Sequence, residues 1–141
     1  MRILSFLVGA FISIADLFIK RRVSKRDYNG KVIYNKGFAH NRGDKFPKVV
    51  AAVSAGLTAG IALFILSDKI GKKNVLRAVS SGLVLGGALS NSYERVTKRR
   101  VTDYIPLGKY VYNIGDFAVY AGCAGYIATE LTEKRGEEDG E

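Results

Sequence analysis

Two aspartates in the last third of the sequence are the residues best suited to chemistry. Asp103 lies just before the last long apolar block, and Asp116 lies inside that block, thirteen residues later. A short reversing segment would bring both to one end of a helical bundle. Two carboxylates in a poorly solvated pocket do not both ionise cheaply, so they share one proton. The ionised partner can then take a proton from water while the protonated partner polarises a carbonyl, as in aspartic hydrolysis.

The same two aspartates also have a purely structural interpretation. Each could cap a helix or pair with a neighbouring arginine, and the sequence offers Arg95, Arg99 and Arg100. Taken alone, the spacing of the two aspartates favours this structural interpretation, because ion pairs are common outside active sites.

Other kinds of active site have little support in the sequence. It contains no Gly-x-Ser-x-Gly, His-Glu-x-x-His or P-loop pattern. The single histidine, His40, has no nearby cysteine with which to bind a metal, and the single cysteine, Cys123, fits a small packing residue in an apolar block. No metal or organic cofactor is implied.

Four apolar blocks separated by charged segments must position the aspartates. The 141 residues are 48% hydrophobic and 25% charged, but the two kinds of residue are segregated rather than interleaved. Each block is near the ~20 residues that a helix needs to cross a membrane. The blocks run from Ile3 to Ile19, Phe46 to Leu66, Val75 to Ser92 and Val111 to Leu131. The pattern predicts an all-α membrane protein whose four transmembrane helices form one domain, residues 1–131.

The segments outside the blocks differ in composition. The first connection, Lys20 to Lys48, is long and polar, and its alternating stretch Lys31-Val32-Ile33-Tyr34 predicts a small β-rich loop between helices 1 and 2. Residues 132–141 are acidic and are predicted to form a disordered tail.

Two glycine pairs predict close contacts between helices. In each pair the glycines are four residues apart and share one helix face, which lets another backbone approach. The pairs are Gly56 with Gly60 and Gly82 with Gly86.

Five short polar motifs follow one another along the apolar blocks and their connections. They are Asp16-Leu17-Phe18-Ile19-Lys20, Asn35-Lys36-Gly37, Gly87 to Arg95, Val101-Thr102-Asp103-Tyr104 and Asn113-Ile114-Gly115-Asp116. Their order resembles the motifs of bacterial signal peptidase II, the lipoprotein signal peptidase. The spacings agree too, with four residues from Asn91 to Arg95, eight from Arg95 to Asp103 and three from Asn113 to Asp116. The joint pattern favours the catalytic interpretation of the aspartates.

The resemblance implies a role for each motif residue. Asp103 and Asp116 would be the catalytic pair that activates water. Asn113 would orient one of their carboxylates, unless it only caps a helix or bonds two helices together. Arg95 would hold the substrate backbone or a lipid phosphate, unless it only extends to the membrane interface. The remaining substrate-binding or supporting residues are Asn91, Asp16, Lys20, Asn35 and Gly37.

Two of these supporting groups also have a simpler interpretation. Asp16 and Lys20 are four residues apart on a helix and could simply pair with each other. Asn35 and Gly37 would belong to a loop that cradles the substrate, but Asn-x-Gly is also an ordinary turn.

Two departures from the family pattern leave the aspartate pair intact. The chain has Glu94 where the family usually has aspartate. It has Phe38-Ala39-His40-Asn41 where the family favours Ala-Ala-Phe-Ser. Both bear on substrate specificity.

The activity that the resemblance implies is that of a membrane aspartic endopeptidase. It would remove signal peptides from lipid-modified prolipoproteins, cutting before the diacylglyceryl-cysteine, and globomycin-type inhibitors would block it. It would be a monomer that contacts membrane lipids in the bacterial cell (inner) membrane, with its active site near the extracytoplasmic face. The alternative is a non-catalytic relative that binds lipopeptides or anionic lipids. Nucleic acid is not an expected partner, because aromatic residues do not punctuate the basic runs.

The distribution of basic residues conflicts with this orientation. Lys20 to Lys48 contains ten Lys and Arg and Glu94 to Tyr110 contains five, against seven on the other side. The positive-inside rule would place the aspartates on the cytoplasmic side. The resemblance places them outside, and we follow it. The charge of the first loop could then hold anionic lipid.

Overall fold

Four helices and four short strands form the described part of the chain. The computed structural model describes residues 1–26, 32–37, 43–67 and 74–138. The helices are α1 (Arg2–Lys25), α2 (Pro47–Ser67), α3 (Val75–Lys98) and α4 (Ile114–Glu138). The strands are β1 (Ile33–Asn35), β2 (Val101–Asp103), β3 (Ile105–Leu107) and β4 (Tyr110–Tyr112). Each helix overlaps one predicted apolar block, which confirms a mostly helical fold with four helices in the described ranges.

Helix α3 extends beyond the apolar block that predicted it. The block ends at Ser92, whereas α3 continues to Lys98, and Arg99 then adopts a left-handed conformation with φ of 58°. The apolar pattern stops before Glu94, but this charged residue is fully buried and therefore belongs to the interior of the fold.

Helix α4 differs from its predicted block at both ends. It begins at Ile114, since Val111 belongs to β4, and it continues to Glu138 instead of ending at Leu131. Glu133 accepts hydrogen bonds from Asn74 and Arg77 at the start of α3, which attaches this last part of α4 to the bundle. The helix thus runs into the predicted acidic tail, of which residues 139–141 lie outside the described ranges.

Helix α3 packs against the three other helices, and two glycines allow its close contact with α1. A Cβ atom at Gly82 would lie 2.6 Å from the backbone oxygen of Ser5, and one at Gly86 would lie 2.7 Å from that of Gly9. By contrast, Cβ atoms at Gly56 and Gly60 on α2 would meet no described atom within 4 Å. The close packing predicted from glycine spacing is therefore present for the second pair only.

The interior of the bundle is polar and its outer surface is apolar. Asp16, Lys20 and Glu94 have no exposed surface, whereas Leu7 and Phe11 on α1 are 63% and 71% exposed. This arrangement suits a surrounding of hydrocarbon, where buried polar groups must find partners inside the protein. Helices α1 and α2 are long and apolar enough to cross a membrane.

The small sheet links two connections that are distant in sequence. Strand β1 follows α1 and pairs antiparallel with β2, which follows α3, so that Ile33 lies opposite Asp103. Strands β3 and β4 form a hairpin whose turn contains Gly108 at a φ of +62°. The connection between the first two helices, predicted to be rich in β-structure, contains β1, and the three other described strands lie between α3 and α4. Val101 to Tyr112 is rich in β-branched and aromatic residues, which favours strands there.

Candidate functional site

Asp103 and Asp116 line one cleft at the end of the bundle that carries the strands. Asp103 is the last residue of β2, and Asp116 lies in the first turn of α4. Both line a cavity of about 90 Å³, together with Asn35, Arg95 and Tyr112 among others. The hairpin between β2 and α4 reverses the chain and returns it to the cleft. The structure therefore brings the two predicted catalytic residues together.

Asn113 connects the two aspartates. Its side-chain nitrogen donates to Oδ1 of Asp103 at 2.7 Å, and its Oδ1 accepts from the backbone N–H of Asp116 at 3.0 Å. In return, Oδ2 of Asp116 accepts from the backbone N–H of Asn113 at 3.1 Å. This reciprocal pair is a capping box at the start of α4. Capping and carboxylate orientation, predicted as alternatives for Asn113, occur together.

The surroundings of Asp103 favour its protonated form more than water does. Burial raises the pKa of Asp103 to about 6, and the negative charge of Asp116 also raises it. Hydrogen bonds from Asn113 and Asn35 and the positive charge of Lys20 lower this pKa, but they do not outweigh the effect of burial. Asp103 is only 4% exposed. A carboxylic acid with such a pKa can hold or release a proton near neutral pH.

Asp16 and Lys20 form an ion pair below the cleft. Lys20 Nζ lies 2.8 Å from Asp16 Oδ2, which agrees with the pairing interpretation of these residues. The pair also extends towards the aspartates, because Lys20 donates to Asn91 Oδ1 at 2.6 Å and Asn91 Nδ2 donates to Asp116 Oδ1 at 2.9 Å. Ser90 adds a short hydrogen bond to Asp16. Asn91 thus connects the buried pair to Asp116.

Arg95, Asn35 and Gly37 form the rim of the cleft. Arg95 Nη2 donates to the backbone oxygen of Gly37 at 3.1 Å, and the N–H of Gly37 donates to Asn35 Oδ1 at 3.0 Å. The second bond closes the small turn predicted for Asn-x-Gly. Arg95 therefore fixes the segment after β1 to α3, and Phe38–Asn41, which follow it, lie outside the described residues.

Glu94 is a supporting residue that was not predicted as part of the site. Its two oxygens accept from the backbone N–H of Thr102 at 2.8 Å, the Thr102 hydroxyl at 2.9 Å and Lys98 at 2.7 Å. Lys20 lies 3.7 Å away. Because Thr102 precedes Asp103, these contacts attach β2 to α3. A signal was present: Glu94 follows Asn91 by three residues and so shares its helix face.

Tyr104 is a second supporting residue that sequence reasoning missed. Its hydroxyl donates to Asp16 Oδ1 at 3.2 Å and accepts from the N–H of Ile114 at 3.4 Å. Burial and the charge of Asp16 raise the pKa of Tyr104 well above its ordinary value, so the hydroxyl stays protonated and able to donate. It ties the β2–β3 connection to α1 and to the start of α4.

A larger and more apolar cavity opens beside the aspartate cleft. It has a volume of about 250 Å³ between α2, α3 and α4, and Asp116, Arg95 and Tyr120 line both cavities. Leu57 and Ile61 contribute to its apolar walls. An apolar ligand in this cavity would reach the polar cleft at Asp116.

The features described so far define a class of protein: a helical membrane protein with a polar interior and two carboxylates in a cleft at one end of its bundle. Residues 8–132 match the family described as signal peptidase (SPase) II. No curated protein matches the chain. The chain belongs to the signal peptidase II family, whose members are membrane peptidases of the aspartic type that process lipoprotein signal peptides.

Solved structures of other proteins share the fold. One, a bacterial membrane enzyme solved by the in meso method at 2.3 Å resolution, is 20% identical with a TM-score of 0.79, and the match covers 92% of this chain and 88% of that one. Another, solved by the same method at 1.9 Å resolution, is 20% identical with a TM-score of 0.74, covering 90% of this chain and 92% of that one.

Proposed function

We propose that this chain is a membrane aspartic endopeptidase that removes signal peptides from lipid-modified prolipoproteins, cutting just before the diacylglyceryl-cysteine. The observation that carries the proposal is that Asp103 and Asp116 line one cleft and are both bonded to Asn113. Membership of the signal peptidase II family supports the choice of reaction and substrate class.

The mechanism follows from the chemistry of two carboxylates that share a proton. The ionised partner takes a proton from a water molecule as that water attacks the scissile carbonyl carbon, and the protonated partner gives its proton to the carbonyl oxygen. The tetrahedral intermediate then collapses: one carboxyl group returns a proton to the amide nitrogen, the C–N bond breaks to release the amine, and the other carboxylate takes back the hydroxyl proton as the new carboxyl group forms. The raised pKa of Asp103 suits it to hold the shared proton near neutral pH. Asn91 and the N–H of Asn113 each donate to one oxygen of Asp116, which fixes the plane of its carboxylate.

The apolar cavity beside the cleft offers a place for the apolar part of the substrate. A signal peptide with a lipid-bearing cysteine is largely apolar and approaches from the membrane. The cavity between α2, α3 and α4 leads to Asp116, so an apolar chain within it would bring a peptide bond towards the carboxylates. Arg95, at the junction of both cavities, could hold a backbone carbonyl or a lipid phosphate.

We further propose that all four helices cross the membrane. At a rise of about 1.5 Å per residue, α3 and α4 are long enough to span about 30 Å of hydrocarbon. Their polar side chains, such as Asn91 and Glu94, are buried, while Leu89 and Ile127 are exposed. The polar residues that lower the overall hydropathy of α3 thus face the interior of the bundle.

Both chain termini are expected in the cytoplasm, with the aspartate cleft on the outer side. An even number of crossings places the termini on one side, and the family places the active site near the extracytoplasmic face. Reporter fusions after Glu141 and within the connection between α1 and α2 would measure this. A carboxyl terminus outside the cytoplasm would contradict the proposed orientation. It would support the opposite orientation, which the distribution of basic residues predicts.

Cleavage is expected to depend strongly on the lipid of the substrate. A diacylated prolipoprotein peptide should be cut far faster than its unlipidated form, because the acyl chains place the scissile bond at membrane depth. Globomycin should block the reaction. Initial rates on both peptides, measured with the full chain in lipid vesicles, provide the test, and equal rates would show that the site serves another substrate.

A further inference from the structure

The outer face of α1 changes from apolar to basic at Phe18. The large apolar side chains exposed on this face recur every three or four residues, and they are Ile3, Leu7, Phe11, Ile14 and Phe18. The exposed residues that continue the face are Arg21, Arg22, Lys25 and Arg26, here named the α1 basic cluster. This order matches a membrane helix whose apolar part contacts acyl chains and whose end lies among headgroups.

The α1 basic cluster surrounds a cavity that carries only positive charge. Phe18 and the four cations line a surface cavity of about 300 Å³. The guanidinium carbon of Arg22 lies 5.1 Å from the centre of the Phe18 ring, which holds this cation against the apolar face. Within the described ranges, no carboxylate forms an ion pair with any of the four. Four neighbouring cations that have no ion-pair partner among the described residues favour an anionic ligand.

Cations at a helix end also have a purely structural role, which accounts for only part of this pattern. They interact favourably with the carbonyl end of the helix dipole. That effect is confined to the last turn, which contains Arg22 and Lys25, and it does not require a cavity bordered by an aromatic ring. The peptidase mechanism does not use the cluster either, because the α1 residues that connect to the cleft, Asp16 and Lys20, lie on the buried side of the same helix.

We propose that the α1 basic cluster binds the phosphodiester headgroup of an anionic phospholipid, whose acyl chains lie along the apolar face from Phe18 towards Leu7. Arginine forks match phosphate oxygens in geometry and charge. Such a lipid would fix the depth of α1, and with it the depth of the cleft relative to the headgroups. The proposal rests on α1 crossing the membrane and is independent of catalysis.

Fluorescence quenching tests this proposal on the full chain. The sequence has no tryptophan, so Phe18→Trp places a single tryptophan beside the cluster and, in a separate variant, Ile127→Trp places a reference tryptophan on α4. The probes are vesicles of phosphatidylcholine and phosphatidylglycerol in which one lipid carries brominated, quenching chains. The lipid preference is read from quenching when phosphatidylglycerol carries the bromine, compared with quenching when phosphatidylcholine does. At Phe18→Trp we expect a preference for phosphatidylglycerol on the order of tenfold, since each cation near anionic headgroups strengthens binding severalfold. The reference should show almost none.

Charge removal separates the cluster from the general charge of the chain. Adding Arg22→Gln and Lys25→Gln to Phe18→Trp should reduce the preference to less than about twofold. Lys134→Gln with Arg135→Gln, which removes two cations from α4, should leave it unchanged. An unchanged preference after the first pair of substitutions, or equal preference at both reporters, would overturn the proposal. Inorganic phosphate at constant ionic strength should not alter the quenching; loss of the preference in phosphate would identify a site for free phosphate instead.

Discussion

Replacement of Asp103 or Asp116 by asparagine is expected to abolish cleavage of the lipidated substrate while the chain remains folded. Asparagine is nearly isosteric with aspartate and can keep hydrogen bonds such as those to Asn113, but it cannot act as a base. General acid–base assistance alone contributes about 10²–10⁴ in rate, and each substitution should cost at least that factor. The double variant should be little worse than either single variant, because residues that act as one unit are not additive.

Two other aspartates provide controls for this experiment. Asp16→Asn should be milder, since Asp16 contacts Lys20, Ser90 and Tyr104 but does not line the cleft. Asp44→Asn, in an exposed turn before α2, should leave the cleavage rate unchanged.

If well-folded Asp103→Asn and Asp116→Asn proteins retained near-normal rates, the aspartates would have only a structural role. A wild-type chain that binds the lipidated peptide without cutting it would instead support the non-catalytic alternative.

Replacement of Lys20 by methionine is expected to destabilise the protein more than most single substitutions. The ammonium group lies 2.8 Å from Asp16 and 3.7 Å from Glu94, and all three side chains are fully buried. Methionine matches the length of the lysine stem but leaves two buried carboxylates without this partner. Removal of one member of a buried ion pair typically costs about 3–5 kcal/mol in the free energy of unfolding. Thermal unfolding in detergent micelles would measure the loss.

Lys98 provides a matched control, because it also pairs with Glu94. Its ammonium group lies 2.7 Å from Glu94, but the Lys98 side chain is 45% exposed. Lys98→Met should therefore cost at most about 1 kcal/mol, as for other partly exposed ion pairs. Equal destabilisation by the two substitutions would show that burial of Lys20 does not determine the strength of this network. We expect the double variant Lys20→Met with Asp16→Asn to recover part of the lost stability.

The sequence was sufficient to predict the four helices and the proximity of Asp103, Asn113 and Asp116 at one end of the bundle. Helices of this length leave a strong apolar signal, and Asn113 and Asp116 share the first turn of one helix, so their proximity follows from local geometry. Asp103 could be placed at the same end because only a short segment separates it from Asn113. Asn113 is a favoured residue at a helix N-cap, whereas Asp116 occupies the position at which a capping box usually has glutamate or glutamine.

Contacts between distant segments could not be predicted in the same way. The pairing of β1 with β2 joins Asn35 to Val101, and nothing in either three-residue strand specifies its partner. Glu94 ended the apolar pattern of α3 and was taken as a departure from the family, although its burial depends on Thr102 and on Lys20. Glycine spacing alone likewise did not distinguish Gly82 and Gly86, which contact α1, from the pair on α2.

The most direct test of a peptidase based on Asp103 and Asp116 is the mass of the products formed from one diacylated prolipoprotein peptide by the folded chain in lipid vesicles. The wild-type chain should give two products whose masses place the cut immediately before the diacylglyceryl-cysteine, and Asp103→Asn should give neither. An intact peptide after incubation with folded wild-type protein, or the same two products from Asp103→Asn, would contradict the proposed function.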